Sequence, residues 1–261
     1  MNKPSTSTQT APRARAPLSA VIITRDCAGP LRTCLASLRF CDEMLVVDSG
    51  SRDDTVSVAQ AMGARVLHQD WLGFGPQKQF AVSQAAHAWV LCVDADEEVS
   101  PELRASIEAA LGAPSHDVYA CPRRNHFLGR PLRHGEGYPD WSVRLFDRRR
   151  ARWSDDAVHE RVITPSAVGR LRGDLLHHSA EQLQTYLAKQ ERYTDLQAAR
   201  LHAAGKRAGL IRMLLAPALR FVKFYVVRLG FLDGWPGLVH VTIGCRNSYR
   251  KYAKLRRLAR G

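Results

Sequence analysis

Residues 43–63 read E-M-L-V-V-D-S-G-S-R-D-D-T-V-S-V-A-Q-A-M-G. The apolar run 43–48 ends in an acid and predicts a buried strand; the polar turn S-G-S-R-D-D follows. Residues 53–62 then predict a helix, with Asp53 or Asp54 near its N-cap and Gly63 as its stop. The same alternation continues on either side. L-S-A-V-I-I-T at 18–24 is a strand, followed by a helix over 30–40. Residues 65–68 make a third strand and 76–86 a helix; W-V-L-C-V at 89–93 makes a fourth strand ending at Asp94, and 100–111 a capped helix. Strands and helices alternating at this spacing imply βαβ units and a mostly parallel sheet, an α/β fold. After about Tyr119 the rhythm breaks. Short strands over 142–146, 158–163 and 168–176 sit among loops rich in Arg, His, Gly and Trp, and the end is helical over 180–203, 207–229 and 238–258.

The 261 residues are 45% hydrophobic and 24% charged, values of a globular chain; a disordered chain, a collagen-like repeat and a polytopic membrane protein are excluded. The net charge of +13 is unevenly placed. Residues 206–261 carry 13 basic residues and a single acid, Asp233, whereas 18–205 are close to neutral. None of the six cysteines forms a C-x-x-C pair, so they read as small hydrophobes in a reducing cytosol. The first 17 residues are polar, lack the apolar core of a signal peptide and read as a disordered arm.

In an open α/β sheet, ligands sit beyond the carboxyl ends of the strands. Here two strand ends are acidic: V-V-D-S-G-S-R-D-D-T at 46–55 and V-D-A-D-E-E at 93–98. The first offers Asp48 to a ribose or base, with a glycine turn whose N–H groups can approach phosphates. The second sets Asp94 and Asp96 two residues apart. Clustered carboxylates repel one another unless something cationic binds them, and a hard divalent ion shared with substrate phosphates answers that need. The plain alternative is a solvated turn with helix-capping acids.

These runs, together with V-I-I-T-R-D at 21–26, resemble the nucleotide-sugar domain of family 2 glycosyltransferases, with Asp94-Ala95-Asp96 as the D-x-D motif. W-L-G-F-G-P-Q-K-Q-F-A at 71–81, Y-P-D-W-S-V-R-L-F at 138–146, V-H-E at 158–160 and G-F-L-D-G at 230–234 resemble the bacterial lipopolysaccharide core β-1,4-glucosyltransferase subgroup. The resemblance spans about residues 18 to 255. It implies a single GT-A-like (Rossmann-like) nucleotide-sugar-binding domain followed by C-terminal amphipathic helices. The divisions it implies are an arm over 1–17, a catalytic domain over 18–179 (a nucleotide-sugar half at about 18–116 and an acceptor half at about 117–179), and a basic helical region over 180–261.

The resemblance further implies an inverting, metal-dependent hexosyltransferase. The donor would be a nucleotide diphosphate sugar, UDP-glucose by the subgroup, and the acceptor a lipid-linked saccharide of the inner lipopolysaccharide core. Thr24, Arg25 and Asp48 are the candidates for base and ribose, and Gln77 and Lys78 line the donor pocket. Asp96 is the principal ligand of Mg²⁺ or Mn²⁺; Asp94 contacts the ribose or the metal through water. His159 with Glu160 completes the metal or diphosphate site, and Arg144 pairs with an acid of the site or with donor phosphates. The catalytic base is Asp140, isolated from other acids and flanked by Tyr138 and Trp141, whose rings can stack on a sugar; Glu136 and Glu160 are the competing choices. The arginines of 122–133 suit a phosphorylated acceptor or form a solvated basic loop.

From 208 to 232 the chain is mostly apolar, but Arg212, Arg220, Lys223, Arg228 and Pro217 argue against a spanning helix. At about 100° per residue the four cations fall within an arc of about 160°, the pattern of an amphipathic helix at an anionic membrane surface. Tyr249 and Tyr252 add interfacial aromatics. The expected location is cytoplasmic, peripheral on the inner membrane; a helix packed on the catalytic domain with a solvated basic side is the alternative. Two other functions fit less well. A sugar nucleotidyltransferase would open with a glycine-dense phosphate loop, absent from T-R-D-C-A-G-P. A nucleic-acid-binding protein would spread basic residues and aromatics over one face, whereas here the body's acids cluster where phosphates would bind.

Overall fold

The computed structural model describes residues 15–156, 160–178 and 183–259. Strands and helices alternate through β1 (Leu18–Thr24), α1 (Ala28–Ser37), β2 (Glu43–Asp48), α2 (Thr55–Ala61), β3 (Arg65–His68), α3 (Phe74–Ser83), β4 (Trp89–Asp94), the short β5 (Glu97–Val99) and α4 (Pro101–Gly112). There follow β6 (Val118–Phe127), β7 (Arg130–Pro131), β8 (Asp140–Asp147), β9 (Arg152–Trp153), β10 (Val162–Ile163), β11 (Val168–Arg170) and β12 (Leu175–His177). The chain ends in α5 (Leu183–Ala203), α6 (Leu210–Phe221) and α7 (Gly234–Leu258). It divides into two compact units. One runs to Cys121 and takes in Ser142–Leu175; the other comprises Pro122–Trp141 and the chain from Leu176 on.

In the first unit β3, β2, β1 and β4 lie side by side and parallel, and β8 joins β4 antiparallel. Side chains alternate across this sheet. Leu18, Ala20, Ile22, Val46, Leu91 and Val93 pack with Leu31 and Leu35 of α1 and Leu103, Ile107 and Leu111 of α4. Val21, Leu45, Val47, Val90 and Cys92 face the other way, onto Ala81 and Val82 of α3 with Phe146 and Trp153. Both faces are covered, which is why these strands read as unbroken apolar runs; each buried Leu, Ile, Val or Phe among them contributes about 1.5–3 kcal/mol. Ser100 caps α4 by accepting from the Leu103 N–H at 3.2 Å.

The α/β expectation holds, and so do the bounds of the first three strands. The later segments differ from the reading. Most of the block 122–133, read as a loop, belongs to β6 and β7, a hairpin whose two-residue turn, Leu128 and Gly129, takes φ of 51° and 76°. The single strand expected over 168–176 is split, because Gly173 (φ 83°) lies against α4 where an added Cβ would stand 2.2 Å from the Leu103 nitrogen. Of the strand expected over 158–163, the described residues carry strand only at Val162–Ile163. Arg15, inside the expected arm, bonds to Asp42 at 2.7 Å.

In the second unit α5 and α7 are joined by Glu191, which pairs with Arg250 and, at 2.6 Å, with Lys254; Ala198, Ala208 and Leu255 form a small core. The helix expected over 207–229 is α only to Phe221 and continues as a π-helical turn, Val222–Val227. The G-F-L-D-G run has a structural task here. Asp233 accepts from the backbone N–H groups of Arg133 and His134 and pairs with His134 Nδ1 at 2.9 Å. Gly237 and Gly244 of α7 allow close approach: a Cβ at Gly244 would stand 2.6 Å from Glu136 Oε2 and 3.0 Å from Arg220 Nε. No helix among the described residues is long and apolar enough to cross a membrane. All six cysteines are free; burial pushes the thiols of Cys41 and Cys121 up to about 12 and that of Cys92 to about 11.

Candidate active site

The strand register assembles the site. Thr24 lies opposite Asp48 on the neighbouring strand, and Ile23 lies opposite Asp94, so three polar residues stand at one edge of the sheet. Asp48 is buried and shapes its own turn, accepting from the Gly50 and Ser51 N–H groups at 2.9 Å each and from the Ser51 hydroxyl. The loops after β1 and β2 are laced together. The Asp26 carboxylate accepts from Arg52 N–H at 2.7 Å, Cys27 N–H donates to Thr55 Oγ1 at 2.8 Å, and Ala28 N–H donates to Asp53 at 3.2 Å. Thr24 is buried, and its hydroxyl has no partner among the described residues. Arg25 is exposed, 3.8 Å from Asp26.

At the end of β4 the protein itself supplies the cations that the acidic run requires. Asp94 Oδ1 takes Lys78 Nζ at 3.0 Å and its Oδ2 takes Arg144 Nη2 at 2.8 Å. Arg144 also holds Glu97 at 2.7 Å, and Lys78 also holds Glu160 at 2.8 Å. Lys78 lies 4.8 Å from the centre of the Trp153 ring, a favourable cation–π placement. Lys78, Arg144 and Glu97 are all buried. Burial works against the Arg144 charge, but Asp94 and Glu97 outweigh it and hold the guanidinium well above its ordinary range. Three carboxylates surround two cations, leaving an excess of one negative charge.

The antiparallel register of β8 pairs Leu91 with Leu145 and so carries Arg144 toward the end of β4. On α3, Lys78 is placed by a tight approach: Gly75 has φ outside the left-handed region, yet its Cβ would stand 2.1 Å from the Ser154 carbonyl. Gln77 is fully buried and spends its amide inside the fold, donating to Ser49 Oγ at 3.0 Å and to the Gln69 carbonyl at 3.1 Å, while accepting from Leu72 N–H. Asp96 is half-buried in the turn before β5. Its charge reaches Cys27 and Cys34, whose thiols are raised first by burial and further by nearby acids. His159 lies outside the described residues.

A hard cation prefers carboxylate and phosphate oxygens and keeps few protein ligands when a diphosphate is present. Among the described residues no group of three His, Cys, Asp or Glu forms a cage, and Asp94 has both oxygens engaged. Asp96, with Asp94 two residues before it, supplies the carboxylate oxygens that would meet a hard cation at this strand end.

The remaining candidates belong to the second unit. Asp140 is exposed, 3.8 Å from Arg123 Nη1, and Trp141 beside it is 41% exposed. The Tyr138 carbonyl accepts from Arg228 at 3.4 Å. Glu136, one alternative base, forms an ion pair with Arg220. Glu160, the other, belongs to the first unit and pairs with Lys78. Sequence reading assigned no site role to Glu97 or Trp153, and it gave Arg220 to the basic face of the C-terminal segment without its partner Glu136. Glu97 had a legible signal, since it shares a strand face with the apolar Val99; the other two contacts follow from long-range packing alone.

A model of the family described as glycosyl transferase family 2 matches residues 19–171, more than half of the chain. The chain belongs to glycosyltransferase family 2. The matched span contains Asp48, Lys78, Asp94, Asp96 and Arg144. Among relatives of this family 2 enzyme, the lipopolysaccharide core biosynthesis glycosyltransferase LpsC of Rhizobium meliloti is 29% identical over 91% of this chain and 93% of its own. An uncharacterized glycosyltransferase of Rickettsia prowazekii is 30% identical over 93% of this chain and 87% of its own. Among solved structures, mannosyl-3-phosphoglycerate synthase from Rubrobacter xylanophilus is 20% identical, covering 75% of this chain and 77% of its own with a TM-score of 0.48.

Proposed function

We propose that this family 2 glycosyltransferase transfers a hexose, with glucose from UDP-glucose as the first candidate, to a lipid-linked saccharide of the lipopolysaccharide inner core, with inversion at the anomeric carbon. The observation that carries the reading is the end of β4. Lys78 and Arg144 fix Asp94, and Asp96 in the turn that follows is near enough to the loop after β1 for its charge to raise the Cys27 thiol. The resemblance of the chain to LpsC supports the acceptor class.

In this reading Thr24, Arg25 and Asp48 receive the nucleoside, and the buried Thr24 hydroxyl, without a partner among the described residues, is suited to a ligand or water. Asp96 would hold Mg²⁺ or Mn²⁺, which would supply Lewis-acid stabilisation of the diphosphate leaving group. Asp140 removes the proton of the acceptor hydroxyl as its oxygen bonds to the anomeric carbon and the bond to the diphosphate breaks. Trp141, exposed beside it, offers a stacking face for a sugar. Lys78 is already neutralised by two carboxylates, so its part is to hold Asp94 and Glu160.

The lipid acceptor calls for a catalyst at the membrane, and the second unit offers a surface for it. Ile211, Leu214, Leu219 and Val227 are between 60% and 74% exposed, on a segment that also bears Arg212, Arg220, Lys223 and Arg228. Such a segment suits peripheral docking on the anionic cytoplasmic face of an inner membrane. A screen of nucleotide sugars by thermal shift, with and without Mn²⁺, tests the donor assignment. UDP-glucose should raise the melting temperature only with the metal, and stabilisation by no nucleotide sugar under either condition would overturn it.

A further inference from the structure

Within the second unit a groove of about 590 Å³ runs between α6, the π-helical turn and α7. Its walls include Arg212, Leu219, Arg220, Lys223, Phe224 and Tyr252. The cations are gathered around aromatic rings: Arg212 stands 5.3 Å from the Tyr252 ring centre, and Arg220, Lys223 and Arg228 stand 5.4, 5.2 and 5.8 Å from that of Phe224. Arg220 has a carboxylate partner in Glu136. No carboxylate among the described residues pairs with Arg212 or Lys223. Four cations gathered with one carboxylate repel one another, and the cheapest relief is an anion.

Position along the helix indicates which anion. At about 100° per residue, Arg212, Lys223 and Arg220 follow one another along one edge of the exposed apolar face formed by Ile211, Leu214, Leu215, Leu219 and Val222. When that face lies in the acyl boundary of a bilayer, the edge cations stand at the level of the headgroup phosphates. Nucleic acid would leave the neighbouring apolar face without a partner; a lipid uses both. We propose that the groove is a binding site for the phosphate of an anionic lipid headgroup, with Arg212 and Lys223 as its principal ligands and the Phe224 and Tyr252 rings as its walls. The proposal rests on the membrane-docking reading above and adds a defined subsite to it.

The test measures sedimentation of the full chain with vesicles of phosphatidylcholine alone, or of phosphatidylcholine mixed with phosphatidylglycerol or phosphatidic acid. It compares Arg212→Gln/Lys223→Gln with Arg256→Gln/Arg257→Gln, which removes equal charge outside the groove. The two groove side chains are solvent-facing, and an unchanged thermal melt confirms that the variants are folded. The groove double variant should lose about thirty-fold in affinity for phosphatidic acid vesicles, the weight of two basic side chains at an anionic surface. The control double should lose only a few-fold. Equal losses in the two doubles would reduce the groove to diffuse charge and overturn the proposal. Displacement of the wild type from vesicles by millimolar inorganic phosphate, through the same two residues, would make it a free-phosphate site and overturn the lipid assignment. Should the wild type ignore every vesicle while still binding a nucleotide sugar, the docking reading falls together with the subsite, and the catalytic reading stands.

Discussion

Replacing Arg144 with Leu tests how the end of β4 is held. The guanidinium is 5% exposed and bonds to Asp94 at 2.8 Å and to Glu97 at 2.7 Å; Glu97 is itself 1% exposed. Leucine refills part of the volume but takes the Arg144 cation away from buried Glu97, while the hydrogen bond from Asp94 N–H at 2.9 Å stays. Breaking a buried pair from one side costs about 3–5 kcal/mol. For a chain of this size that corresponds to roughly 6–20 °C in melting temperature. The double variant Arg144→Leu/Glu97→Leu removes both charges and should recover at least half of the loss, giving a coupling well above the scatter of additive sites. Urea denaturation of the single and double variants reads both effects. A single variant within about a degree of wild type, or a double variant no more stable than the single, would refute the reasoning.

Asp140→Asn should abolish transfer to acceptor while leaving nucleotide-sugar affinity within about two-fold, because only the proton acceptor is removed; normal turnover would eliminate Asp140 as base. Ile211→Asp/Leu214→Asp should abolish retention on anionic vesicles without lowering the thermal midpoint, both side chains being exposed in α6; undiminished retention would remove the apolar face from the docking account. Burial holds His126 and His240 below the ordinary histidine value. The unfolded chain therefore takes up protons first, and the stability these residues contribute is present above about pH 6.5 and lost as pH falls through their folded values. The urea midpoint should drop between about pH 7.5 and 5.5, and drop less in His240→Phe; an equal drop in that variant would clear His240 of the effect.

The first four strands were legible because their register buries both faces. Leu18, Ala20 and Ile22 face one core, Val21 faces the other, and a doubly buried strand needs no polar interruption. The strand-end acids were legible for the same reason: Asp48 and Asp94 are the first polar residues after such runs. What meets those acids was legible only in part: the resemblance offered Arg144 an acid of the site or the donor phosphates, but gave Lys78 only a place in the donor pocket. The pairing of Asp94 with Lys78 and Arg144 depends on how α3 and β8 lie against β4, a non-local fact that no spacing encodes. β6 was hidden by its own polarity: Arg123, Arg124 and Asn125 break the apolar pattern in a strand whose second half is only partly buried. G-F-L-D-G was visible as a motif, but that Asp233 ties down Arg133 and His134, a hundred residues upstream, was not.

The proposed transfer depends most on Asp96, the residue that would couple metal to diphosphate. Calorimetric titration of UDP into wild type and Asp96→Ala, each with Mn²⁺ and with a chelator, measures that directly. Wild type should bind tightly only with Mn²⁺, and Asp96→Ala should bind weakly and equally in both conditions. Manganese-dependent binding that survives in Asp96→Ala would contradict the account.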